Sequence, residues 1–498
     1  MPGRVSIRIL FLILLCACFV AALPSARASE LSHARIVRLS YTAGQVQYRT
    51  DDHAGWQTAV VNTPLREGMQ LATADGRAEI EFETGATAWM ASNTMMELSQ
   101  LVLDDGEKLT LLTVTQGTAT FYVTPAKVDS FAVQAGQLQI HPPRKARFRV
   151  DVFDDGSSVS VFHGPVEVDS RDTTFHVNSR RTLAFRNEQI TDGTLEANPH
   201  ADAWDHWVSD RDSSIEQARS NTAGYLDAPY AYGLADLSFY GGWINLPGYG
   251  YGWQPYGAGL GWSPFFNGYW SSFGAFGPAW VSYEPWGWVP YHYGGWVFLP
   301  GAGWVWTPTR NYAWSPATVA FVHTPSGAVG WVPRSPQETI AVGTTPVNLG
   351  HGVITAGPDG LPGHSPNLLL RGSATNGTQL VSDLRSDPAM QRFAQHASDS
   401  AQNFAPTAPR GLTPAQRMPE KGAPRVANAG LLSGAVPRYQ APSIFRHSAQ
   451  TSAFSAPVGS PVPAIPSGAS RSTGSPAMSG GSHGVSGGSV GGGGGRRP

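Results

Sequence analysis

Between Gln254 and Thr309 the chain carries two ionisable side chains besides its tyrosines, Glu284 and His292. A carboxyl and an imidazole are the types that serve as general acid and base. Glycosidic hydrolysis, however, needs two carboxylates flanking the bond, and this stretch offers one. The plainer reading is that Glu284 accepts backbone hydrogen bonds or caps a turn, and that His292 sits half-buried between Tyr291 and Tyr293. No catalytic residue is assigned, and the chain is read as non-enzymatic.

The second chemistry on offer is stacking. Flat aromatic faces pack on the apolar faces of sugar rings, and a rigid ring loses little entropy when it binds. Trp286, Trp288, Tyr291 and Tyr293 occupy the least hairpin-like part of the aromatic region, so they are expected to form an exposed ligand-binding platform. Most of the paired tryptophans are read as packing, because a small β array needs large side chains for its core. His200 and His206 stand near Asp202 and Asp205, but a helix start rich in such residues is expected as a solvated face suited to the macrodipole. No metal and no cofactor is expected. There is no G-x-S-x-G and no G-x-x-x-x-G-K, which leaves a nucleophile elbow and a phosphate loop without a sequence basis.

These residues belong to a repeat. YGGWINLPGYGYGWQP, from Tyr240 to Pro255, returns as YGGWVFLPGAGWVWTP, from Tyr293 to Pro308, with a diverged copy from Gly268 to Pro285. Trp243 and Trp253, Trp270 and Trp280, and Trp296 and Trp306 keep one internal spacing, and each pair is followed by a Trp-x-Pro at Trp262, Trp288 and Trp314. Phe321 and Trp331 read as half of a fourth unit. A unit this short cannot bury its own apolar face, so the copies must pack together. Aromatic and β-branched residues around the glycine-rich turn Pro300-Gly301-Ala302-Gly303 make each copy a β-hairpin.

At 498 residues, with 57 glycines and 39 prolines, the chain has room for two or three domains rich in turns. Residues 31–334 hold 19 basic and 29 acidic side chains, residues 335–498 hold 12 and 6. An acidic folded part thus carries a mildly basic tail, without the concentrated basic footprint of a nucleic-acid binder. Arg4 and Arg8, the apolar run Ile9 to Leu23 and Ala26-Arg27-Ala28 spell a secretory signal, with cleavage expected after Ala28. The run is shorter than the roughly 20 apolar residues of a membrane span, and no other segment is expected to cross. Both cysteines, Cys16 and Cys18, lie inside this signal. Leu15-Cys16-Ala17-Cys18 weakly resembles a lipoprotein box with Cys18 as the lipidated residue; otherwise the mature chain has no thiol and no disulfide.

From 34 to 189 short strands follow one another. Ala78, Ile80 and Phe82 alternate with Glu79, Glu81 and Glu83, an apolar face against an acidic one, and the same period returns at Ala119, Phe121, Val123 and at Phe148, Val150, Val152. Within this stretch Asn62-Thr63-Pro64-Leu65, Gly68, Leu71, Thr73, Gly76, Ala78, Ile80, Phe82 and Gly85 resemble the core signature of FecR-type domains. The resemblance implies an all-β domain outside the cytoplasm of a Gram-negative bacterium. In the best-known members that domain belongs to a regulator relaying occupancy of an outer-membrane receptor to a cytoplasmic sigma factor. Those regulators have a cytoplasmic helical segment and a transmembrane helix where this chain has a signal, so only the fold and the address carry over.

Residues 199–222, with Trp204, Trp207, Val208, Ile215 and Ala218 along one face, read as a linker helix. The order that follows, Asp236-Leu237, Tyr240-Gly241-x-Trp243, Ser282-x-Glu284-Pro285-Trp286-Gly287-Trp288 and Pro290-Tyr291-His292-Tyr293-Gly294, resembles a tryptophan-rich bacterial family of unknown function often found behind a FecR-type domain. Residues 335–399 read as a weakly structured extension, and the Pro-, Gly- and Ser-rich residues 400–498 cannot bury enough surface to order themselves. The expected fold is all-β: a FecR-like antiparallel domain (34–189), a linker helix and a tryptophan-rich β-hairpin domain (236–334). The expected function is an exported envelope binding or scaffold protein that contacts peptidoglycan or an exopolysaccharide through its aromatic repeats. In the alternative, the FecR-like domain binds an envelope protein as a signalling accessory.

Overall fold

The alternation of small or branched apolar residues with polar ones builds strands from the first described residues onward. The computed structural model describes residues 35–403 apart from 36, 172, 187–192, 198–200, 227–232, 247, 260, 274–275, 310–313, 337, 342–343, 356–366, 370–377 and 382–383. The expected signal, both cysteines, His200 and nearly all of the expected disordered tail lie outside the described residues. The protein is mostly β-structure with a few helices.

Strands β1 (Val37–Ala43), β2 (Val46–Arg49), β3 (Gln57–Thr58), β4 (Pro64–Leu65), β5 (Gln70–Thr73), β6 (Arg77–Glu81), β7 (Thr87–Met90), β8 (Met95–Asp104) and β9 (Glu107–Val123) come first. They are followed by β10 (Ser130–Ala135), β11 (Leu138–His141), β12 (Ala146–Phe153), β13 (Gly156–His163), β14 (Val166–Ser170), β15 (Thr173–Val177), β16 (Arg181–Arg186) and β17 (Thr194–Ala197). Pairing arranges them as two layers. One runs β3-β2-β5-β8-β9-β10-β11-β14-β15 and the other β4-β1-β6-β7-β9-β12-β13-β16-β17. Strand β9 belongs to both: its first half pairs in parallel with β10, its second half antiparallel with β12. The change of layer falls at Gly117, which has φ 91°. A Cβ there would lie 2.4 Å from the Asn93 carbonyl oxygen, so only glycine lets the strand cross. Ile80, Phe121, Val150 and Val161 of one layer share an apolar core with Leu71, Val114, Val133 and Ile140 of the other.

The acidic face of β6 is buried, with Glu79 1% and Glu81 2% exposed. Helix α1 (Ala203–Ala223) covers it. Its start is fixed by a capping box in which Asp202 and Asp205 each accept the other's backbone N–H. Trp204 Nε1 donates to Thr120 Oγ1 at 3.0 Å, and Arg149 Nη1 reaches Asp202 at 2.8 Å and Asp205 at 3.1 Å. Trp89, Trp204 and Val208 form a small apolar cluster below the helix. The segment read as a linker is therefore docked along its length on the sheet.

A second short helix, α2 (Leu234–Tyr240), leads into the tryptophan hairpins: β18 (Gly241–Leu246) with β19 (Gly250–Pro255), β20 (Gly268–Ser272) with β21 (Pro278–Ser282), β22 (Gly295–Leu299) with β23 (Gly303–Thr307), and β24 (Val319–His323) with β25 (Val329–Pro333). The common spacing is the register itself: Trp243 faces Trp253, Trp270 faces Trp280, Trp296 faces Trp306, and Phe321 faces Trp331 across each ladder. The fourth unit is thus a whole hairpin. Its sheet is extended by β26 (Val353–Thr355), β27 (Asn367–Leu369) and β28 (Gln379–Leu380). The first and third hairpins join through Trp253 and Trp306 into one four-stranded sheet, and the second stands as its own two-stranded sheet.

A glycine stands two positions before the first tryptophan in each of three copies, and the structure shows why. Cβ atoms at Gly241, Gly268 and Gly294 would lie 2.3, 2.7 and 2.6 Å from the rings of Trp253, Trp280 and Trp306. Each indole lies across bare backbone. Between β21 and β22 the chain makes one helical turn, α3 (Trp288–His292), and after β28 a last helix, α4 (Pro388–Asn403), sets Phe393 against Trp270, Phe321 and Trp331. One apolar cluster runs without a break from Val37 in β1 to Ala397 in α4.

Candidate functional site

All four side chains expected as an exposed platform are in the core: Trp286 is 6% exposed, Trp288 0%, Tyr291 0% and Tyr293 5%. The segment that looked unlike a hairpin contains α3, which carries Trp288 and Tyr291 and is flanked by Trp286 and Tyr293, and it sets these rings among the hairpins. Trp286 packs on Trp253 (5.2 Å between ring centres), Trp262 (5.9 Å) and Tyr291 (5.4 Å). Tyr291 in turn lies against Phe265 at 4.6 Å and Trp296 at 5.8 Å. The expected platform is corrected on this point: these residues hold the hairpins together.

Glu284 and His292 belong to separate environments. The Glu284 carboxylate accepts from the Tyr291 hydroxyl and from Trp262 Nε1 at 3.1 Å, with Ser282 Oγ at 3.4 Å. Burial lifts its pKa to about 7, and those three donors only partly offset it. His292 is stacked on Trp314 (5.1 Å) with Trp288 tilted against it (4.7 Å, 55°), the tryptophans of two Trp-x-Pro units, and its Nδ1 lies 2.8 Å from the Ser315 carbonyl. Burial pushes it down to about 4, so the ring is neutral at pH 7. No hydrogen bond joins the two groups among the described residues, and each is occupied by structural contacts.

The seam between the β domain and the tryptophan region is polar and buried. Asn62 Nδ2, from a residue held at φ 66°, donates to the carbonyls of Glu284 at 2.7 Å and Ser282 at 3.2 Å. Arg38 of β1 bridges Glu81, at 3.0 Å, and Asp236 of α2. From α1, Arg211 Nε meets Glu79 at 2.7 Å and Arg219 Nη2 meets Glu81 at 2.6 Å. Burial would raise Glu79, yet Arg211 together with Ser40 and Trp89 holds it below the usual carboxylate range. Asp236 is lifted to about 6, because burial and the Glu81 charge outweigh Arg38. Three cations and three carboxylates close on one another: Arg38, Glu79, Glu81 and Asp236 are buried, Arg211 and Arg219 are half-buried, and the buried charges are tolerable because each is paired. Sequence reasoning missed it because Arg211 stands 132 positions from Glu79.

Around hairpin β18–β19 the aromatic surface is open. Tyr225, at the end of α1, is 38% exposed, Tyr249 50%, Tyr251 46% and Tyr256 71%. Tyr225 lies parallel to Trp243 (5.0 Å, 7°) and edge-on to Tyr251 (5.1 Å, 84°). The signal was in the differences between copies: Tyr249 and Tyr251 stand where the last copy has Ala302 and Trp304. His206 is exposed, Asp202 and Asp205 serve the helix cap and Arg149, and no group of three or more metal-ligating side chains occurs among the described residues.

A two-layer β domain with a docked helix and aromatic hairpins defines the class of chain, and the family comparisons agree part by part. A model of the FecR protein family matches residues 69–167, and a model of a family of unknown function (DUF6600) matches residues 234–338. No curated protein matches the chain. Two crystal structures of a protein described as a candidate anti-sigma factor from Parabacteroides distasonis ATCC 8503 are similar to it at 20% and 19% identity. They cover 28% and 30% of this chain and 64% and 71% of their own, each with a TM-score of 0.24. The match thus spans less than two thirds of the first of them. No helix among the described residues is long and apolar enough to cross a membrane.

Proposed function

We propose that the protein is a non-enzymatic binding scaffold of the bacterial cell envelope, exported through its N-terminal signal, in which the FecR-type domain, helix α1 and the tryptophan hairpins act as one body. The observation that carries this reading is the largely buried circuit of Arg38, Glu79, Glu81, Arg211, Arg219 and Asp236, which ties three parts of the chain together. Glu284 and His292, the residues nearest to an acid and base, are both committed to packing. The partner is a surface polymer, peptidoglycan or an exopolysaccharide, met by aromatic side chains of the tryptophan region. Sedimentation of the mature chain with sacculi and with insoluble polysaccharides tests this. Co-sedimentation without release of soluble fragments is expected, whereas fragment release would mark an enzyme and failure to sediment would remove the polymer.

A second reading, a signalling accessory that binds an envelope protein, is favoured by the FecR family match and by β17. All four residues of this strand are exposed, and among the described residues it pairs with β16 alone. An open strand edge is a template for a partner strand. Leu195→Pro would remove that capture and leave polymer binding intact.

A further inference from the structure

We infer that the first tryptophan hairpin carries a binding site for an uncharged polysaccharide, formed by the exposed Tyr225, Tyr249 and Tyr251 and backed by Trp243. This rests on the polymer-binding reading above and gives it a place and a ligand class. Trp243 is stacked behind Tyr225 and packed in turn on Trp306, so the open ring is that of Tyr225, and Tyr251 stands at 84° to it, so the two tyrosines form a corner. A pyranose presents apolar C–H faces that pack on such a ring and hydroxyl edges that need hydrogen-bonding groups. Phenol hydroxyls supply these, as does the exposed amide of Asn245, the cross-strand partner of Tyr251.

Two observations set this corner apart from the packing rings. The position of Tyr251 is filled in the third hairpin by Trp304, which is buried under Phe298 (5.4 Å) and His351 (5.9 Å). In the first hairpin the same place is open and holds a ring with a hydroxyl. Moreover, no charged side chain occurs from Leu237 to Tyr283, so strands β18 and β19 offer an anionic or cationic polymer no counter-charge. A neutral sugar chain is the occupant that needs none.

The test is retention of the full mature chain on an insoluble uncharged β-glucan, an acidic polysaccharide and peptidoglycan sacculi. Wild type is compared with Tyr225→Ala, Tyr251→Ala and Tyr251→Phe, each checked for an unchanged melting temperature. Retention on the glucan is expected to weaken about tenfold in each alanine variant and to stay within about threefold in Tyr251→Phe, which keeps the ring. Binding of any polymer that survives both alanine variants would overturn the site and leave the polymer reading standing. A preference for the acidic polymer or the sacculi would overturn the ligand class. Retention on none of the three would overturn both the site and the reading.

Discussion

Glu284 meets three neutral donors, Tyr291, Trp262 and Ser282, in a buried pocket of aromatic rings. Its pKa of about 7 in the folded protein stands above the ordinary carboxylate value, so the folded state holds the proton more tightly than the unfolded chain does. Stability is then greatest below the unfolded pKa and falls as pH rises through the window to about 7, by roughly 3 kcal/mol over the full range. Glu284→Gln keeps an acceptor for Tyr291 and Trp262 and removes the titration. Its melting temperature should exceed that of wild type at pH 8, with the gap closing toward pH 5. A gap independent of pH would mean that the carboxyl is not held neutral. His292 works in the opposite sense. Lowered to about 4, it leaves stability intact above its unfolded pKa and costs stability as pH falls from there toward 4. Which of the region's two ionisable groups would be buried was only half legible: Glu284 was expected to meet backbone donors, and its partners are side chains from Trp262 and α3 instead.

At the scale of elements, the hairpins were readable because the tryptophan spacing is a cross-strand register, a local property. How the hairpins combine was not, since nothing in the repeat says that the first would pair with the third through Trp253 and Trp306. The same limit misplaced Trp286, Trp288, Tyr291 and Tyr293, because an aromatic loop suits a surface or a core equally well and only the turn α3 decides. The repeat glycines give a sharp test. Strand propensity alone makes Gly268→Ala stabilising by about 0.5–1 kcal/mol, but the added Cβ would sit 2.4 Å from the Val281 carbonyl oxygen and 2.7 Å from the Trp280 ring. Overpacking of this kind costs about 1–3 kcal/mol. Urea unfolding should show a net loss; a gain would mean that the indole does not lie across the strand. The acidic face of β6 follows the same logic. Its alternation was legible, and its burial was not, because the covering arginines come from α1. Arg38→Met leaves Glu81 and Asp236 short of a cation and should destabilise by about 3–5 kcal/mol in the same measurement.

For the whole molecule, the all-β class and the order of its parts were legible, whereas their fusion was not. A FecR-type domain followed by a helix and a tryptophan domain reads as beads on a string. Asn62, Arg38 and the arginines of α1 turn the string into one object with one continuous apolar cluster. That matters for the proposed function, because a body of this kind would hold the proposed aromatic corner in a fixed orientation to the FecR-type domain. Calorimetric unfolding of the mature chain at pH 7 tests the unity of that body most directly. A single transition is predicted, with the calorimetric and van't Hoff enthalpies equal, as a cooperative unit requires. Two separable transitions, one for the β layers and one for the hairpins, would contradict it.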